Sequence, residues 1–241
     1  MHVVKAYGGE YRDAATRPPT TTGLRKTGKT IPDAHVPETT TEWVVVIPVK
    51  GTAGAKSRFG NGDNSALALA IALDTVDAAL ATPGVTGVLV VTSEGASAAF
   101  DETEALVLIE DEPAGLTAAI ALGIETAAEM SAPGRGIAVL LGDLPALLPE
   151  ELAAALGAAA KFDRAMVPDA DGSGTTLVTA ADGAAHSTAF GVGSAAQHRA
   201  AGYVELDIPV SSGLRNDVDT LSSLRELGGR LGAHAAAIFA P

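Results

Sequence analysis

Short runs of large apolar residues alternate with longer alanine-rich stretches from residue 43 onward. The run WVVVIPV at 43–49 is typical of a strand that is buried on both faces. The same reasoning places further strands at 87–92, 105–109 and 137–141, and helices at 65–81, at 116–130 and from 149. Because strands that alternate with helices form parallel βαβ units, the sequence predicts an α/β fold with a mostly parallel central sheet.

The two ends of the chain follow this alternation less clearly. In the second half we expect strands at 165–167, 175–179 and 203–206, with helices at 194–201 and 220–227. Residues 1–42 are rich in Thr, Pro and Gly, as in RPPTTTG at 17–23. Such a composition buries too little apolar surface to offset the entropy of ordering the chain. We therefore expect a flexible tail over 1–42 and one folded domain over 43–241.

Charge and composition exclude several classes of protein. The formal net charge of −13 argues against a general nucleic-acid binder or a binder of anionic membranes. The chain has no cysteine, which excludes disulfides, thiolate metal sites and a catalytic thiol. It also lacks a long stretch of large apolar residues and a compact apolar N-terminal region, so we expect a cytoplasmic protein that is not inserted in a membrane.

Positive charge is scarce but concentrated. Only ten lysines and arginines occur from residue 43 onward, and Lys50, Lys56 and Arg58 are three of them. They lie in the glycine-containing segment KGTAGAKSR, directly after the first predicted strand. Because parallel sheets bind ligands beyond the carboxyl ends of their strands, this segment is a candidate anion-binding loop. A solvated loop is the alternative, and a Walker A loop does not fit, because Ala55 stands where that pattern requires glycine.

Three carboxylates are candidate metal ligands. Asp143 follows the predicted strand at 137–141 within GDLP, and carboxylates at strand ends often hold divalent cations. Asp217 and Asp219 are spaced i and i+2, so in an extended segment both side chains point to one side. The alternative is helix or turn capping, by Asp143 before the helix at 149 and by Asp219 or Thr220 before the helix at 220.

Two uncharged segments, GSGTT at 172–176 and FGVGS at 190–194, offer glycine N–H groups and hydroxyls. Such groups suit a carboxylate or a phosphate, and ordinary turns are the alternative. The histidines show no metal-binding spacing, and we expect His186, His198 and His234 at the surface or as caps.

Together these segments resemble the guanylyltransferases of coenzyme F(420) biosynthesis, which join a GMP unit to 2-phospho-L-lactate or phosphoenolpyruvate. The resemblance covers 43 to about 227. It rests on ordered matches at Lys50 with AKSR at 55–58, GL at 115–116, GDLP at 142–145, GSGT at 172–175, FG at 190–191 with Ser194, HR at 198–199, and LRNDVDT at 214–220.

The resemblance implies a three-layer Rossmann-like nucleotide-diphospho-sugar transferase fold, of the glycosyltransferase-A type. It also implies roles for individual residues. Mg²⁺ would be held by Asp143, Asp217 and Asp219, and the triphosphate would be contacted by Lys50, Lys56 and Arg58. The phosphorylated acid would be bound by Thr175, Gly191 and Ser194, and the nucleotide by Gly115, Leu116 and Thr117.

The implied reaction joins GMP from GTP to phosphoenolpyruvate, with a downstream transferase taking the product. Alanine richness is typical of a GC-rich genome, where the family tends toward phosphoenolpyruvate rather than 2-phospho-L-lactate. The sequence departs from the family at Thr117, where asparagine is common, and by having no arginine between Arg58 and Arg135. The alternatives are a molybdenum-cofactor guanylyltransferase, a nucleotide-sugar glycosyltransferase and a non-catalytic GTP-binding module.

Overall fold

A computed structural model describes residues 24–25, 41–49, 65–112 and 114–239, which form a single eight-stranded sheet. The strands are β1 (Leu24–Arg25), β2 (Glu42–Pro48), β3 (Val85–Ser93), β4 (Leu106–Glu110), β5 (Arg135–Leu140), β6 (Arg164–Pro168), β7 (Thr175–Ala180) and β8 (Val204–Glu205). Their order across the sheet is β1-β4-β3-β2-β5-β7-β6-β8.

The described helices mostly connect these strands. They are α1 (Ser65–Leu80), α2 (Glu94–Ser97), α3 (Leu116–Met130), α4 (Pro149–Ala159), α5 (Ser194–Ala200), α6 (Leu221–Leu227) and α7 (Ala233–Phe239). Short 3-10 turns occupy Ala98–Phe100, Gly213–Arg215 and Gly228–Arg230. None of the described helices is both long and apolar enough to span a membrane.

The central strands β4, β3, β2 and β5 run parallel, which confirms the predicted α/β class. Strand β2 lies in the middle, where Val46 is paired with Leu89 of β3 and with Val139 of β5. Val45, Val46 and Ile47 are all fully buried although successive side chains point to opposite faces. Both faces of the sheet are therefore covered, which gives the three-layer arrangement.

One close packing contact fixes α3 against the sheet. Gly123 faces β2 and β3, where an added Cβ would collide with Val46 and lie 2.9 Å from Cγ2 of Val91. Only glycine lets the helix approach this closely. As a result, the amino end of α3 is held at the carboxyl edge of the parallel strands, where the candidate site lies.

A second, smaller core joins α1 to the last third of the chain. Its buried members are Leu67, Ile71, Ala146, Val218, Leu224, Leu227 and Ala235. Val218 stands between the two candidate metal ligands of the segment 217–219. Burial of this valine against α1 therefore fixes the segment beside the carboxyl edge of the sheet.

Several details differ from the sequence-based prediction. Strands β6 and β7 are antiparallel neighbours, and β7 also pairs antiparallel with β5. Helices α2 and α7 were not predicted, and the strand predicted at 203–206 is limited to β8. Strand β1, which pairs with β4, falls within the predicted tail. The division of the chain between a tail at 1–42 and a domain at 43–241 stays a prediction.

Candidate active site

A cleft of about 680 Å³ opens at the carboxyl ends of β2 and β5. Its lining includes Pro48 and Val49 at the end of β2, the segment 141–143 after β5, and the start of α3 at Leu116. The turn between β6 and β7 and the segment 216–219 complete the lining. The cleft thus lies where ligands bind in parallel sheets.

Backbone contacts position Asp143 in this cleft. Leu141 N–H donates to the carbonyl of Thr176 at 2.9 Å, and Leu144 N–H donates to Oγ1 of Thr75 on α1 at 3.1 Å. A Cβ on Gly142 would lie 3.2 Å from the carbonyl oxygen of Pro48, so this position requires a small residue. The hydrogen bonds fix the turn after β5 to β7 and α1, and the small Gly142 lets it lie against the end of β2.

The segment carrying Asp217 and Asp219 is joined directly to this turn. Val218 N–H donates to the backbone carbonyl of Asp143 at 2.9 Å. All three predicted carboxylates line the cleft, so the structure brings them together from two distant parts of the sequence.

Of the capping alternatives, helix capping by Thr220 is confirmed, whereas neither aspartate is the N-cap of the helix that follows it. Thr220 is the N-cap of α6, since its Oγ1 accepts the Ser223 N–H at 3.1 Å. The residue that precedes α4 is Leu148, not Asp143. Helix capping therefore accounts for neither Asp143 nor Asp219.

Like charges crowd around Asp217. The pKa of Asp217 is raised to about 6, mainly by burial and then by the negative charges of Asp169, Asp219 and, to a smaller extent, Asp171, against the opposing effect of a backbone hydrogen bond. The ionised carboxylate is thus unfavourable here without a cation. A divalent cation would offset both the burial and the repulsion.

Asp169 and Asp171 are cleft residues that the sequence analysis missed. The Asp169 carboxylate accepts the N–H groups of Ser173 at 2.9 Å and Gly174 at 2.7 Å, which shapes the turn before β7. Arg215 donates from Nη2 to the Asp169 carbonyl at 2.8 Å and ties this turn to the segment 216–219. The signal was available, because 169–171 repeats the Asp-x-Asp spacing of 217–219.

Of the three residues predicted to bind the phosphorylated acid, two line the cleft and one is buried behind it. Thr175 and Gly191 line the cleft, and Gly191 has a φ of +114° that favours glycine. Ser194 is fully buried and is not among the lining residues; its Oγ donates to Oγ1 of Thr175 at 3.1 Å. Ser194 therefore supports Thr175 from behind.

The expectation that His198 lies at the surface or caps a helix is wrong. His198 is fully buried, and its Nδ1 lies 2.9 Å from Oγ1 of Thr175. His186 is partly buried, and its Nε2 lies 3.0 Å from the carbonyl of Ile137. Burial lowers the pKa of His186 to about 4 and also lowers that of His198, so both rings are neutral at pH 7. The polar partners of these rings lie far away in the sequence, so local patterns could not reveal them.

The predicted nucleotide residues lie around the start of α3. Gly115 precedes the helix with a φ of +97°, and Leu116 lines the cleft. Thr117 is exposed and is not among the residues that line the cleft. The predicted triphosphate residues Lys50, Lys56 and Arg58 lie outside the described residues, directly after the cleft residue Val49.

The sheet order and the cleft at the ends of β2 and β5 define a nucleotide-diphospho-sugar transferase fold. A protein from Desulfovibrio desulfuricans assigned to those transferases matches 83% of this chain and 94% of its own, with a TM-score of 0.59 and 17% identity. A 4-diphosphocytidyl-2C-methyl-D-erythritol synthase matches 78% of this chain and 98% of its own, with a TM-score of 0.54 and 13% identity. A Mycobacterium tuberculosis protein solved in complex with manganese has a TM-score of 0.50 and 20% identity over 78% of this chain and 98% of its own.

Sequence comparison is more specific. The phosphoenolpyruvate guanylyltransferase of Streptomyces coelicolor is 44% identical over 205 residues, which cover 83% of this chain and 96% of the relative. That of Geodermatophilus obscurus is 46% identical over 208 residues, covering 82% and 94%. No family model matches the chain. At this identity and coverage, the chain belongs to the phosphoenolpyruvate guanylyltransferase family, a family of nucleotidyltransferases.

Proposed function

We propose that this protein transfers GMP from GTP to phosphoenolpyruvate, giving enolpyruvyl-diphospho-guanosine and pyrophosphate. The names of its relatives support the substrates. The observation that carries the proposal is the joining of Asp143 and the segment 217–219, by a backbone hydrogen bond, in one cleft at the carboxyl edge of the sheet. We place the reaction in the cytoplasm and in coenzyme F(420) biosynthesis, where a downstream transferase would take the product.

The charge of the cleft supports a need for cations. Every charged side chain among the described lining residues is acidic: Asp143, Asp169, Asp171, Asp217, Asp219 and Glu226. A nucleoside triphosphate and a phosphorylated acid are both anions, so neither would bind this surface unaided. We propose that Lys50, Lys56 and Arg58 supply part of the positive charge, and that Mg²⁺ supplies the rest.

The donor set fits Mg²⁺, which prefers carboxylate oxygens and is usually held by one or two carboxylates together with substrate phosphates. Among the described residues, no group of three or more acidic or histidine side chains forms a complete metal site. We therefore propose that Asp143, Asp217 and Asp219 hold the ion jointly with the phosphates. When bound, Mg²⁺ would neutralise phosphate charge and orient the triphosphate. The manganese complex of the structural neighbour is consistent with a divalent ion.

The chemistry asks little acid–base catalysis of the protein. A phosphate oxygen of phosphoenolpyruvate is ionised at pH 7 and attacks the α-phosphorus of GTP. One P–O bond forms there while the bond to the β-phosphate bridging oxygen breaks, and pyrophosphate leaves with that electron pair. The protein's own contribution is to hold the two anions in line and stabilise the charge. In this proposal Thr175, Gly191 and Ser194 form the acceptor side, and Gly115, Leu116 and Thr117 the nucleotide side.

The test is pyrophosphate release from each of the four nucleoside triphosphates, crossed with phosphoenolpyruvate and 2-phospho-L-lactate, with and without Mg²⁺. We expect release only with GTP and a divalent cation, and faster release with phosphoenolpyruvate than with 2-phospho-L-lactate. Equal rates with all four nucleotides, or no release with either acid, would refute the proposal. Asp182→Asn is a matched control for acidic substitutions, because Asp182 accepts the Gly134 N–H outside the cleft.

A further inference from the structure

A buried chain of hydrogen bonds runs behind the acceptor side of the cleft. The Ala189 N–H donates to Nε2 of His198 at 3.0 Å, and Nδ1 of His198 lies 2.9 Å from Oγ1 of Thr175. Ser194 Oγ donates to the same Thr175 oxygen at 3.1 Å. His198 and Ser194 are fully buried, whereas Thr175 lines the cleft.

The donor and acceptor of each bond can be assigned. A backbone N–H only donates, so Nε2 of His198 must accept and cannot carry a proton. Because a neutral imidazole keeps one proton, that proton is on Nδ1, and Nδ1 donates to Thr175. Thr175 Oγ1 thus accepts from both His198 and Ser194, which uses both of its lone pairs. Its own O–H proton is left to point elsewhere, and the cleft is the open side.

We propose that His198 is a positioning residue: it directs the hydroxyl proton of Thr175 into the cleft, where this hydroxyl donates a hydrogen bond to an anionic oxygen of the acceptor. The inference rests on the proposed function insofar as that function makes Thr175 part of the acceptor side. A hydrogen bond donated to an anionic oxygen is strong. If the Thr175 hydroxyl instead turned an oxygen lone pair toward the cleft, it would repel the same anionic oxygen.

The surroundings of His198 keep its ring in place. Phe190 and Tyr203 pack edge-on against the imidazole, with ring centroids 5.4 Å and 5.1 Å away. The Tyr203 hydroxyl accepts the Ser187 N–H at 2.9 Å, two residues before the amide held by His198. The loop that leads to Gly191 is therefore attached at two amides to one aromatic cluster, and His198 positions this loop as well as Thr175.

The first test is the tautomer of His198, read from ¹⁵N–¹H correlation spectra of the full chain labelled with ¹⁵N-histidine at pH 7. His198→Asn identifies the signal. We expect a neutral ring protonated on Nδ1. A ring protonated on Nε2, or a charged ring, would overturn the proposal. This measurement needs no substrate, so its result is independent of whether the proposed function holds.

The second test separates the Michaelis constants of the two substrates. Because Thr175→Val loses one hydrogen bond to a charged group, it should raise KM for phosphoenolpyruvate about ten-fold and leave KM for GTP within about two-fold. Thr175→Ser keeps the hydroxyl, so it should raise KM for phosphoenolpyruvate much less than Thr175→Val does. The control is Thr179→Val, which removes a buried hydroxyl of the same strand that donates to the Ala165 carbonyl, away from the cleft.

His198→Leu should raise KM for phosphoenolpyruvate in the same selective way, and His198→Asn should recover part of the loss, because its amide can donate near the Nδ1 position. His234→Asn, on α7, should leave both constants unchanged. If the His198 variants raise both constants equally, or lower kcat alone, His198 does not position the acceptor site. If the wild-type chain itself shows no turnover with GTP and phosphoenolpyruvate, the proposed function fails, and the spectra still decide the tautomer.

Discussion

Replacing Asp217 by Asn separates what this carboxylate costs the fold from what it contributes to the cleft. Burial, and then the charges of Asp169 and Asp219, raise the pKa of Asp217 from 3.8 to about 6. Asparagine has the shape of the protonated acid but never ionises. We therefore expect Asp217→Asn to be more stable than the wild type at pH 7 in the absence of divalent metal, and much less active in its presence.

The expected gain in the free energy of unfolding follows from the rise in the pKa of Asp217. About two pKa units at 1.36 kcal/mol each set a ceiling of about 3 kcal/mol. Because Asp217 is only partly buried, solvent screening lowers this to about 1–1.5 kcal/mol. For a chain of this size, that corresponds to a rise in Tm of about 3–5 °C.

The pH dependence of stability that Asp217 causes is opposite to that of a carboxylate paired with a cationic side chain. The folded state binds the proton more tightly than the unfolded state, so the wild type loses stability as pH rises through 6, and it loses none below about pH 4. The assay is thermal unfolding of both proteins with EDTA from pH 4 to pH 8, repeated with Mg²⁺. We expect the two Tm curves to meet near pH 4, to separate between pH 4 and pH 6 and to stay a constant distance apart at higher pH, and Mg²⁺ to raise the wild-type Tm more. A variant that is less stable at pH 7, or a difference that does not change with pH, would refute the reasoning.

Three further predictions concern the site and its support. Asp143→Ala should lower the rate of pyrophosphate release well over ten-fold, and a variant that keeps more than about a tenth of the rate, a loss under roughly 1.4 kcal/mol, would contradict the metal assignment. Gly123→Ala should cost about 1–3 kcal/mol by denaturant unfolding, because its Cβ collides with valines of β2 and β3. Gly157→Ala on α4, with nothing within 4 Å, should instead be neutral or stabilising. Thr220→Ala should cost about 1 kcal/mol by loss of the α6 cap, whereas Asp219→Asn should lower activity without that loss.

The strands and helices that could be predicted are those with strong local signals. Helix α3 begins and ends where expected, at Leu116 and Met130, because glycine precedes it and Ser-Ala-Pro follows it. The antiparallel insertion of β7 between β5 and β6 was not predictable, because strand order depends on long-range pairing and not on local periodicity. Helix α7 depends on a distant partner too: the Asp74 carboxylate of α1 accepts the N–H groups at its start, 2.9 Å from His234 N and from Ala235 N.

The residues of the candidate site likewise fall into those with a local sequence signal and those that depend on distant contacts. Asp143 and Asp217 were identifiable, since a carboxylate after a strand and an Asp-x-Asp spacing are visible in a few residues. His198 was not, because what makes it useful is burial beside Thr175, 23 positions earlier. A histidine in a short polar segment has no local sign that its ring will be enclosed by Phe190 and Tyr203.

The acidic cleft also indicates how binding and folding are coupled in this chain. The Arg215 side chain donates to the backbone carbonyls of Asp169 and Ile208, and its bond to Asp169 holds the segment 169–171 beside the segment 217–219. The repulsion that this creates adds to burial in raising the pKa of Asp217. A cation that binds only the folded state removes the repulsion and stabilises that state in proportion to its occupancy. Asp217, one of the residues proposed to hold the ion, is therefore a residue whose charge opposes folding when the ion is absent, and metal affinity should fall as pH drops toward 6.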